Sequence, residues 1–279
     1  MPLARAKVNL WLNVVGRRAD GYHLLDSLVA FADLADEVEA APSDGLSLAV
    51  DGPAASALDV EPDNLVLRAA RLLAERAGVA PRAALRLTKR IPVAAGLGGG
   101  SADAATALQV LVDLWRLTLP AEQLFELAAK LGADVPMCLA GRPALVSGIG
   151  EKLSPAPPLP ACGLLLVNPG VALPTAAVFA ARRGDFATAE PVTRPWSDLA
   201  GFVEALAARG NDLTSAATSL CPVVGDVLAF LRKTQGVRYA AMSGSGASCF
   251  ALYDDPSAAT RAAAIVPATW WRHAGTLSP

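Results

Sequence analysis

Apolar and polar residues alternate from residue 6 to residue 15, which is the period of an extended strand. One face of this predicted strand is apolar and carries Val8, Leu10, Leu12 and Val14. The other face carries Lys7, Asn9, Trp11 and Asn13. Because polar side chains dominate the second face, we expect it to border either solvent or a functional site.

Short apolar runs predict further elements along the chain. Additional strands are predicted within 22–39 and at 47–50, 84–87, 163–167, 238–242 and 248–253. Runs rich in leucine and alanine predict helices at 65–77, about 101–117, 199–208 and 223–232. Strands and helices are intermixed without strict β-α-β alternation. The pattern therefore favours an α+β architecture of two domains over a doubly wound parallel sheet.

A proline-rich segment at 154–160, with the sequence Ser-Pro-Ala-Pro-Pro-Leu-Pro, separates the two halves of this pattern. Proline fixes φ and has no backbone N–H, so the segment cannot continue a helix or an inner strand. We therefore predict two domains, at 1–153 and 154–279.

Composition and charge exclude several classes of protein. The chain has 279 residues, of which 53% are hydrophobic, so it can form two proper cores. Its net charge of −2 provides no basic surface for nucleic acid, whose binding depends on phosphate neutralisation. No apolar stretch resembles a signal peptide or reaches the roughly 18 residues that span a bilayer, so no membrane partner is expected.

The four cysteines are far apart in the sequence, at positions 138, 162, 221 and 249. This spacing argues against a zinc site and against a dense disulfide framework. Together with the charge and hydropathy, it leads us to expect a cytoplasmic enzyme.

The most informative segment is the run Gly-Leu-Gly-Gly-Gly at 96–100, which leads directly into a predicted helix. Such a loop presents unpaired backbone N–H groups at the positive end of the helix dipole, where phosphate oxygens bind. The Walker pattern does not match because no lysine follows the glycines, and the Rossmann pattern lacks its third glycine. The alternative is a flexible loop in which Ser101 only caps an ordinary helix.

The string Pro-x-x-x-Gly-Leu-Gly-Gly-Gly-Ser-Ala at 92–102 resembles the ATP loop of the GHMP kinase superfamily. This resemblance implies an N-terminal ATP-binding and catalytic domain with a ribosomal-protein-S5-like fold. It also implies a ferredoxin-like C-terminal substrate domain and an active site in the cleft between the domains. The implied ATP-binding residues are Pro92, Val93, Ala94, Ala95, Gly96, Leu97, Gly98, Gly99, Gly100, Ser101 and Ala102, with Asn64 and Lys89 bordering the adenine.

Four other strings resemble one branch of this superfamily in order and spacing. They are Ala-Lys-Val-Asn-Leu at 6–10, Arg-Ala-Asp-Gly-Tyr-His-Leu-Leu at 18–25, Leu-Gly-Ala-Asp-Val-Pro at 131–136 and Ser-Gly-Ser-Gly-Ala at 243–247. This branch phosphorylates the 2-hydroxyl of a methylerythritol that carries a cytidine diphosphate group, in the methylerythritol phosphate route to isoprenoids. The resemblance implies ATP and Mg²⁺ as cofactors, with no side chain assigned to the metal, and a monomer or weak homodimer.

The resemblance also implies two catalytic residues. Asp134 is expected to accept the proton of the acceptor hydroxyl. Lys7 is expected to keep this carboxylate ionised and to offset the negative charge that develops during transfer. From the residues alone, Asp134 could equally be a helix N-cap, and Lys7 a lysine at a strand edge.

Substrate binding is implied for residues in both predicted domains. An aromatic ring and an imidazole suit the face and the edge of a cytosine, which implies such roles for Tyr22, His23 and Phe179. The glycine-rich string at 243–247 could hold the diphosphate in a nest of N–H groups, or be only a hairpin turn. The full predicted set is Asn9, Tyr22, His23, Thr175, Phe179, Gly244, Ser245 and Gly246.

Two alternatives remain open on the sequence. The acceptor could be another alcohol, such as homoserine or mevalonate, or the protein could be a nucleotide-binding regulator without catalysis. One string departs from the family pattern, because Asn211-Asp212-Leu213 is followed by Thr214 where an acidic or amide residue is usual. Residues 180–200 carry no recognised pattern.

Overall fold

The computed structural model describes residues 2–57 and 63–278 of the chain. Its strands are β1 (Leu3–Arg17), β2 (His23–Ala41), β3 (Leu46–Asp51), β4 (Ala83–Thr88), β5 (Ala144–Gly148), β6 (Lys152–Pro155), β7 (Gly163–Asn168), β8 (Val237–Met242), β9 (Cys249–Tyr253) and β10 (Trp271–Ser278). Its α-helices are α1 (Leu65–Ala77), α2 (Gly99–Leu114), α3 (Ala121–Leu131), α4 (Val135–Ala140), α5 (Thr175–Ala181), α6 (Leu199–Arg209), α7 (Thr214–Leu220), α8 (Val223–Leu231) and α9 (Pro256–Ala263). A short 3₁₀ helix covers Ala55–Ala57.

The chain forms two compact units that are not consecutive in sequence. The first unit contains the residues up to Lys7, Leu34–Val93 and Gly98–Gly141. The second unit contains Val8–Asp33, Ala94–Leu97 and the chain from Arg142 onward. Both β1 and β2 therefore contribute residues to each unit. The predicted division at 153/154 stays a prediction.

The first unit combines a small mixed sheet with four helices. Its strands follow the order β3-β4-β2, with β3 parallel to β4 and β4 antiparallel to β2. Helix α1 begins where the Asn64 side chain accepts a hydrogen bond from Val66 N, and it ends at Gly78, whose φ is 66°. The apolar faces of α1, α2 and α3 form the core together with the sheet residues Val38, Leu85 and Leu87.

The second unit is built on a larger antiparallel sheet. Its strands follow the order β2-β10-β7-β9-β8, and β5 pairs with β2 and β6. Strand β7 is buried throughout, which explains its almost continuous apolar sequence. Helices α7, α8 and α9 cover the sheet with the side chains of Leu213, Val227 and Ala259.

The structure confirms the predicted strands and helices, with ends that shift by a few residues. It also decides between the two expectations for the polar face of β1. Lys7, Asn9 and Asn13 are all buried, each at most 8% exposed, so this face does not border solvent. Buried polar side chains need partners, and those of β1 find them around the candidate site.

Candidate active site

The glycine-rich loop connects β4 to α2 through left-handed backbone conformations. Ala94, Gly96 and Gly98 have φ values of 54°, 74° and 66°. Gly98 is the N-cap of α2 and makes no side-chain capping bond, so the first N–H groups of this 16-residue helix are available to an anion. The loop has the geometry that the sequence predicts for phosphate binding, and its individual ATP contacts stay predictions.

Two lysine side chains lie against the start of α2. A Cβ atom on Gly98 would lie 2.6 Å from Lys7 Cγ, and one on Gly99 would lie 2.9 Å from Lys89 Nζ. Both distances are shorter than real Cβ contacts, so a side chain at either position would displace the lysine beside it. The Lys7 side chain therefore packs against Gly98, the N-cap of α2, and the Lys89 side chain packs against Gly99, its first residue.

The first of these lysines pairs with the predicted general base. Lys7 Nζ lies 3.3 Å from Asp134 Oδ2. The Lys7 side chain is 8% exposed, whereas that of Asp134 is 39% exposed. Asp134 stands directly before α4, yet its side chain makes no capping bond to that helix. The carboxylate is thus held beside an ammonium while it remains accessible to a ligand.

The second lysine belongs to a sealed cluster of charged groups. Lys89 Nζ donates hydrogen bonds to Asp36 Oδ2 at 2.5 Å and to Asp103 Oδ2 at 2.7 Å. Asp36 Oδ1 also accepts from the backbone N–H groups of Arg90 and Ile91. No side chain of the ion cluster is more than 3% exposed. The cluster fixes the end of β4 and the start of α2 on either side of the loop.

Burial changes the protonation of this cluster. Desolvation raises the pKa of Asp103 to about 8, and the Asp36 charge adds to this effect while the Lys89 ammonium opposes it. Desolvation alone would lower the pKa of Lys89, but the two carboxylates reverse this effect and raise it. Lys89 therefore remains charged, and the proton that the cluster can lose belongs to Asp103.

The two residues predicted to border the adenine already have structural partners. Asn64 caps α1, next to Leu65, whose Cδ1 atom is the nearest neighbour of a Cβ built on Gly100. The backbone N–H of Lys89 donates to Asp51 O, and its carbonyl accepts from Ala54 N. The adenine contacts of Asn64 and Lys89 stay predictions.

In the second unit, the rings of His23 and Phe179 are stacked. Their centroids are 5.1 Å apart with an interplanar angle of 25°. Burial, together with the charges of Arg17 and Arg182, lowers the pKa of His23, so the imidazole is neutral near neutral pH. Tyr22 is 62% exposed. Two of the three residues predicted to bind cytosine are therefore in contact, and the third is free to meet a ligand.

The predicted diphosphate loop is a buried hairpin between β8 and β9. Ser245 Oγ lies 2.9 Å from Thr175 Oγ1, and the Asn9 backbone N–H donates to Ser243 Oγ at 3.1 Å. Gly96 packs so closely against this hairpin that a Cβ on it would lie 2.4 Å from Gly246 O. Three predicted substrate-binding regions thus meet in the second unit, around Asn9, Thr175 and the hairpin.

Some residues that organise the site were not identified from the sequence. Asn211 Nδ2 donates to Met242 O at 2.8 Å and to Gly244 O at 2.9 Å, and so holds the hairpin. Asp212 Oδ2 accepts from Val14 N at 2.7 Å. The Asn-Asp string at 211–212 was the available signal for both residues. Asp36 and Asp103 gave no signal of their own.

Within residues 2–57 and 63–278, no group of three or more His, Cys, Asp or Glu side chains could hold a metal ion. Over the same residues, no helix is both long and apolar enough to cross a membrane.

Comparisons with known proteins support the observed fold, and one matched family model covers the glycine-rich loop. The family model described as GHMP kinases N terminal domain matches residues 64–142, and that described as GHMP kinases C terminal matches residues 193–271. A solved structure of 4-(cytidine 5'-diphospho)-2C-methyl-D-erythritol kinase superposes with a TM-score of 0.84 at 40% identity, over 99% of this chain and 98% of that chain. The protein is thus a GHMP kinase.

Curated relatives narrow the family. The 4-diphosphocytidyl-2-C-methyl-D-erythritol kinase of Paramagnetospirillum magneticum is 56% identical over 96% of this chain and 95% of its own length. The enzyme of the same name from Rhodospirillum rubrum is 52% identical over 98% of this chain and 91% of its own length. The chain therefore belongs to the 4-diphosphocytidyl-2-C-methyl-D-erythritol kinase family.

Proposed function

We propose that this protein transfers the γ-phosphoryl group of ATP to the 2-hydroxyl of 4-diphosphocytidyl-2-C-methyl-D-erythritol, a step in isoprenoid precursor biosynthesis. Family membership supports the reaction. The observation that carries the chemical assignment is the pairing of Lys7 with the accessible carboxylate of Asp134 beside the start of α2.

In the first unit, the chemistry requires a base, a positive charge and an anion site. Asp134 accepts the proton of the acceptor hydroxyl as the oxygen attacks phosphorus. Lys7 lies 3.3 Å from this carboxylate and offsets the negative charge that builds up on the transferring group. The N–H groups at the start of α2 bind phosphate oxygens of ATP.

In the second unit, the aromatic residues suit a pyrimidine. The neutral imidazole of His23 can donate from one nitrogen and accept at the other, so it can pair with the edge of a cytosine. Phe179 and Tyr22 offer ring faces on which a base can stack. The N–H groups of the hairpin at 243–247 are proposed to bind the diphosphate.

The magnesium ion is proposed to enter as the complex with ATP. Mg²⁺ usually binds to nucleotide phosphates and retains several waters, with few protein ligands. No side chain is assigned to the metal. When bound, Mg²⁺ neutralises part of the phosphate charge.

We further propose a cytoplasmic monomer or weak homodimer that binds neither nucleic acid nor membrane. The net charge of −2 supports the lack of a nucleic-acid partner. Sedimentation at several protein concentrations tests the oligomeric state, and a tight tetramer would contradict this proposal.

The reaction is tested by coupled measurement of ADP release with a panel of acceptors. We expect turnover with 4-diphosphocytidyl-2-C-methyl-D-erythritol and none above background with homoserine or mevalonate. Asp134→Ala should lower kcat by about a thousandfold or more, while the Kd for ATP changes only a fewfold. Turnover by this variant at the wild-type rate, or a preference for a simple alcohol, would reject the proposal.

A further inference from the structure

A buried group of three charged side chains in the first unit takes no part in the proposed transfer. Lys89, Asp36 and Asp103 are each at most 3% exposed along their side chains. One ammonium therefore faces two carboxylates, and the group has a net charge of −1 when both are ionised. A buried net charge is unfavourable because it has lost its hydration.

Hydrogen bonding distinguishes the two carboxylates. Both oxygens of Asp36 accept bonds, one from Lys89 Nζ and the other from two backbone N–H groups. Asp103 Oδ2 accepts from Lys89 Nζ, but Asp103 Oδ1 is buried and has no hydrogen-bond partner in the part of the chain that the structure describes. Two carboxylates that share one site do not both ionise readily, so a proton belongs on Asp103.

The position of Asp103 places this proton close to the anion site. Asp103 is four residues after Gly99, so its Cα lies about 6 Å along the helix axis from that of the first residue of α2. A negative charge at that distance repels phosphates at the helix start, whereas a neutral carboxyl does not. The protonation of Asp103 and the binding of phosphates should therefore favour each other.

We propose that Asp103 is a positioning residue of the nucleotide site, whose carboxyl holds a proton while ATP is bound and whose ionisation weakens ATP binding. Through Lys89 it also fixes the start of α2 to the end of β4. This inference rests on the proposed function, because it requires ATP at the start of α2.

The surroundings of Asp103 support this assignment. Burial raises its pKa to about 8, Asp36 of β2 acts in the same direction and Lys89, which follows β4, acts against it. The buried residues of α1 and α3, the other helices packed on α2, are apolar. Among the residues that the structure describes, other titratable groups near this end of α2 are Lys7 of β1, Asp134 just before α4 and Cys138 of α4.

The test is calorimetric binding of ATP with Mg²⁺ to the full chain at about pH 7 and about pH 9, where the nucleotide itself no longer titrates. The wild-type Kd should increase by roughly fivefold to tenfold between these pH values. Asp103→Asn should change less than about twofold over the same range. Asp113→Asn, which removes an exposed carboxylate from the same helix, should behave like the wild type. Near pH 8, wild-type binding should also take up protons from the buffer.

A wild-type Kd that does not change with pH, or an Asp103→Asn variant with the wild-type pH dependence, would overturn the inference. The proposed function fails in a different way, through the absence of ATP binding at either pH. If Asp103→Asn does not fold, infrared spectroscopy of the wild type decides. A carboxylic-acid band that grows when ATP is added near pH 8 supports the inference, and no such band overturns it.

Discussion

The two lysines at the start of α2 both pair with aspartates, but these aspartates differ in exposure. Lys7 lies 3.3 Å from Asp134, whose side chain is 39% exposed. Lys89 lies 2.5 Å from Asp36 and 2.7 Å from Asp103, and none of these three side chains is more than 3% exposed. A lysine beside a carboxylate is therefore not enough to define a catalytic pair. Access of a ligand to the carboxylate separates the proposed catalytic pair from the structural one.

Replacing each lysine by methionine should give the largest difference between the two pairs. Lys7→Met should lower kcat by about a hundredfold to a thousandfold with little change in Tm, because Asp134 stays hydrated. Lys89→Met leaves two buried carboxylates without their cation and should lower the free energy of unfolding by about 3–5 kcal/mol. Enzyme assays and urea unfolding measure the two effects. Equal losses of stability in both variants would contradict the distinction.

Substitutions of Gly98 and Gly99 should distinguish the proposed catalytic lysine from the structural lysine, with smaller effects. Gly98→Ala places a Cβ 2.6 Å from Lys7 Cγ at a φ of 66°, so it should displace the catalytic ammonium and lower kcat by about tenfold or more. Gly99→Ala places a Cβ 2.9 Å from Lys89 Nζ and should lower the free energy of unfolding by about 1–2 kcal/mol. Because Gly98→Ala is also strained by its φ, kcat and not Tm distinguishes the two variants. A larger fall in kcat for Gly99→Ala than for Gly98→Ala, measured by steady-state kinetics, would contradict the assignment.

A third expected effect concerns the pH dependence of stability. The pKa of Asp103 is about 8 in the folded protein, above the ordinary value of 3.8, so the folded state holds a proton that the unfolded chain has lost between these values. Wild-type stability should therefore fall as pH rises through this window. Asp103→Asn removes this titration, so its Tm relative to wild type should increase from about pH 6 to about pH 8.

The exposed Asp113→Asn variant is the control for this measurement. Its Tm difference from the wild type should be the same at both pH values, because Asp113 is exposed on α2 and lies outside the buried cluster. A constant Tm difference for Asp103→Asn as well would show that the buried carboxyl does not titrate there.

Local patterns were enough to predict much of the fold and the main parts of the site. Helix α1 was predicted at its observed bounds because its capping residue and apolar spacing are both local signals. The alternation in β1 and the glycines before α2 are equally local. The Lys7–Asp134 pair, by contrast, was expected from a family resemblance, since no local pattern joins residues so far apart in the chain.

Features that depend on distant partners could not be predicted. Asp36 and Lys89 are 53 positions apart, and nothing near Asp36 indicates that it accepts an ammonium and two backbone N–H groups. Helix α4 is only six residues long, which is too short for a periodic signal. Strand β10 carries charged and polar residues, and its pairing with β7 and β2 determines its conformation.

The contacts of Gly98 and Gly99 also limit how this sequence can change. The chain has only five lysines against nineteen arginines, so a basic residue in this sequence is usually an arginine. Lys7 and Lys89 each pack against a glycine, the one residue type that has no Cβ atom. A planar guanidinium is larger than an ammonium, and no residue smaller than glycine could replace Gly98 or Gly99 to accommodate it. Among the basic residues, these two positions accept only lysine, and directed evolution of this enzyme should hold them fixed.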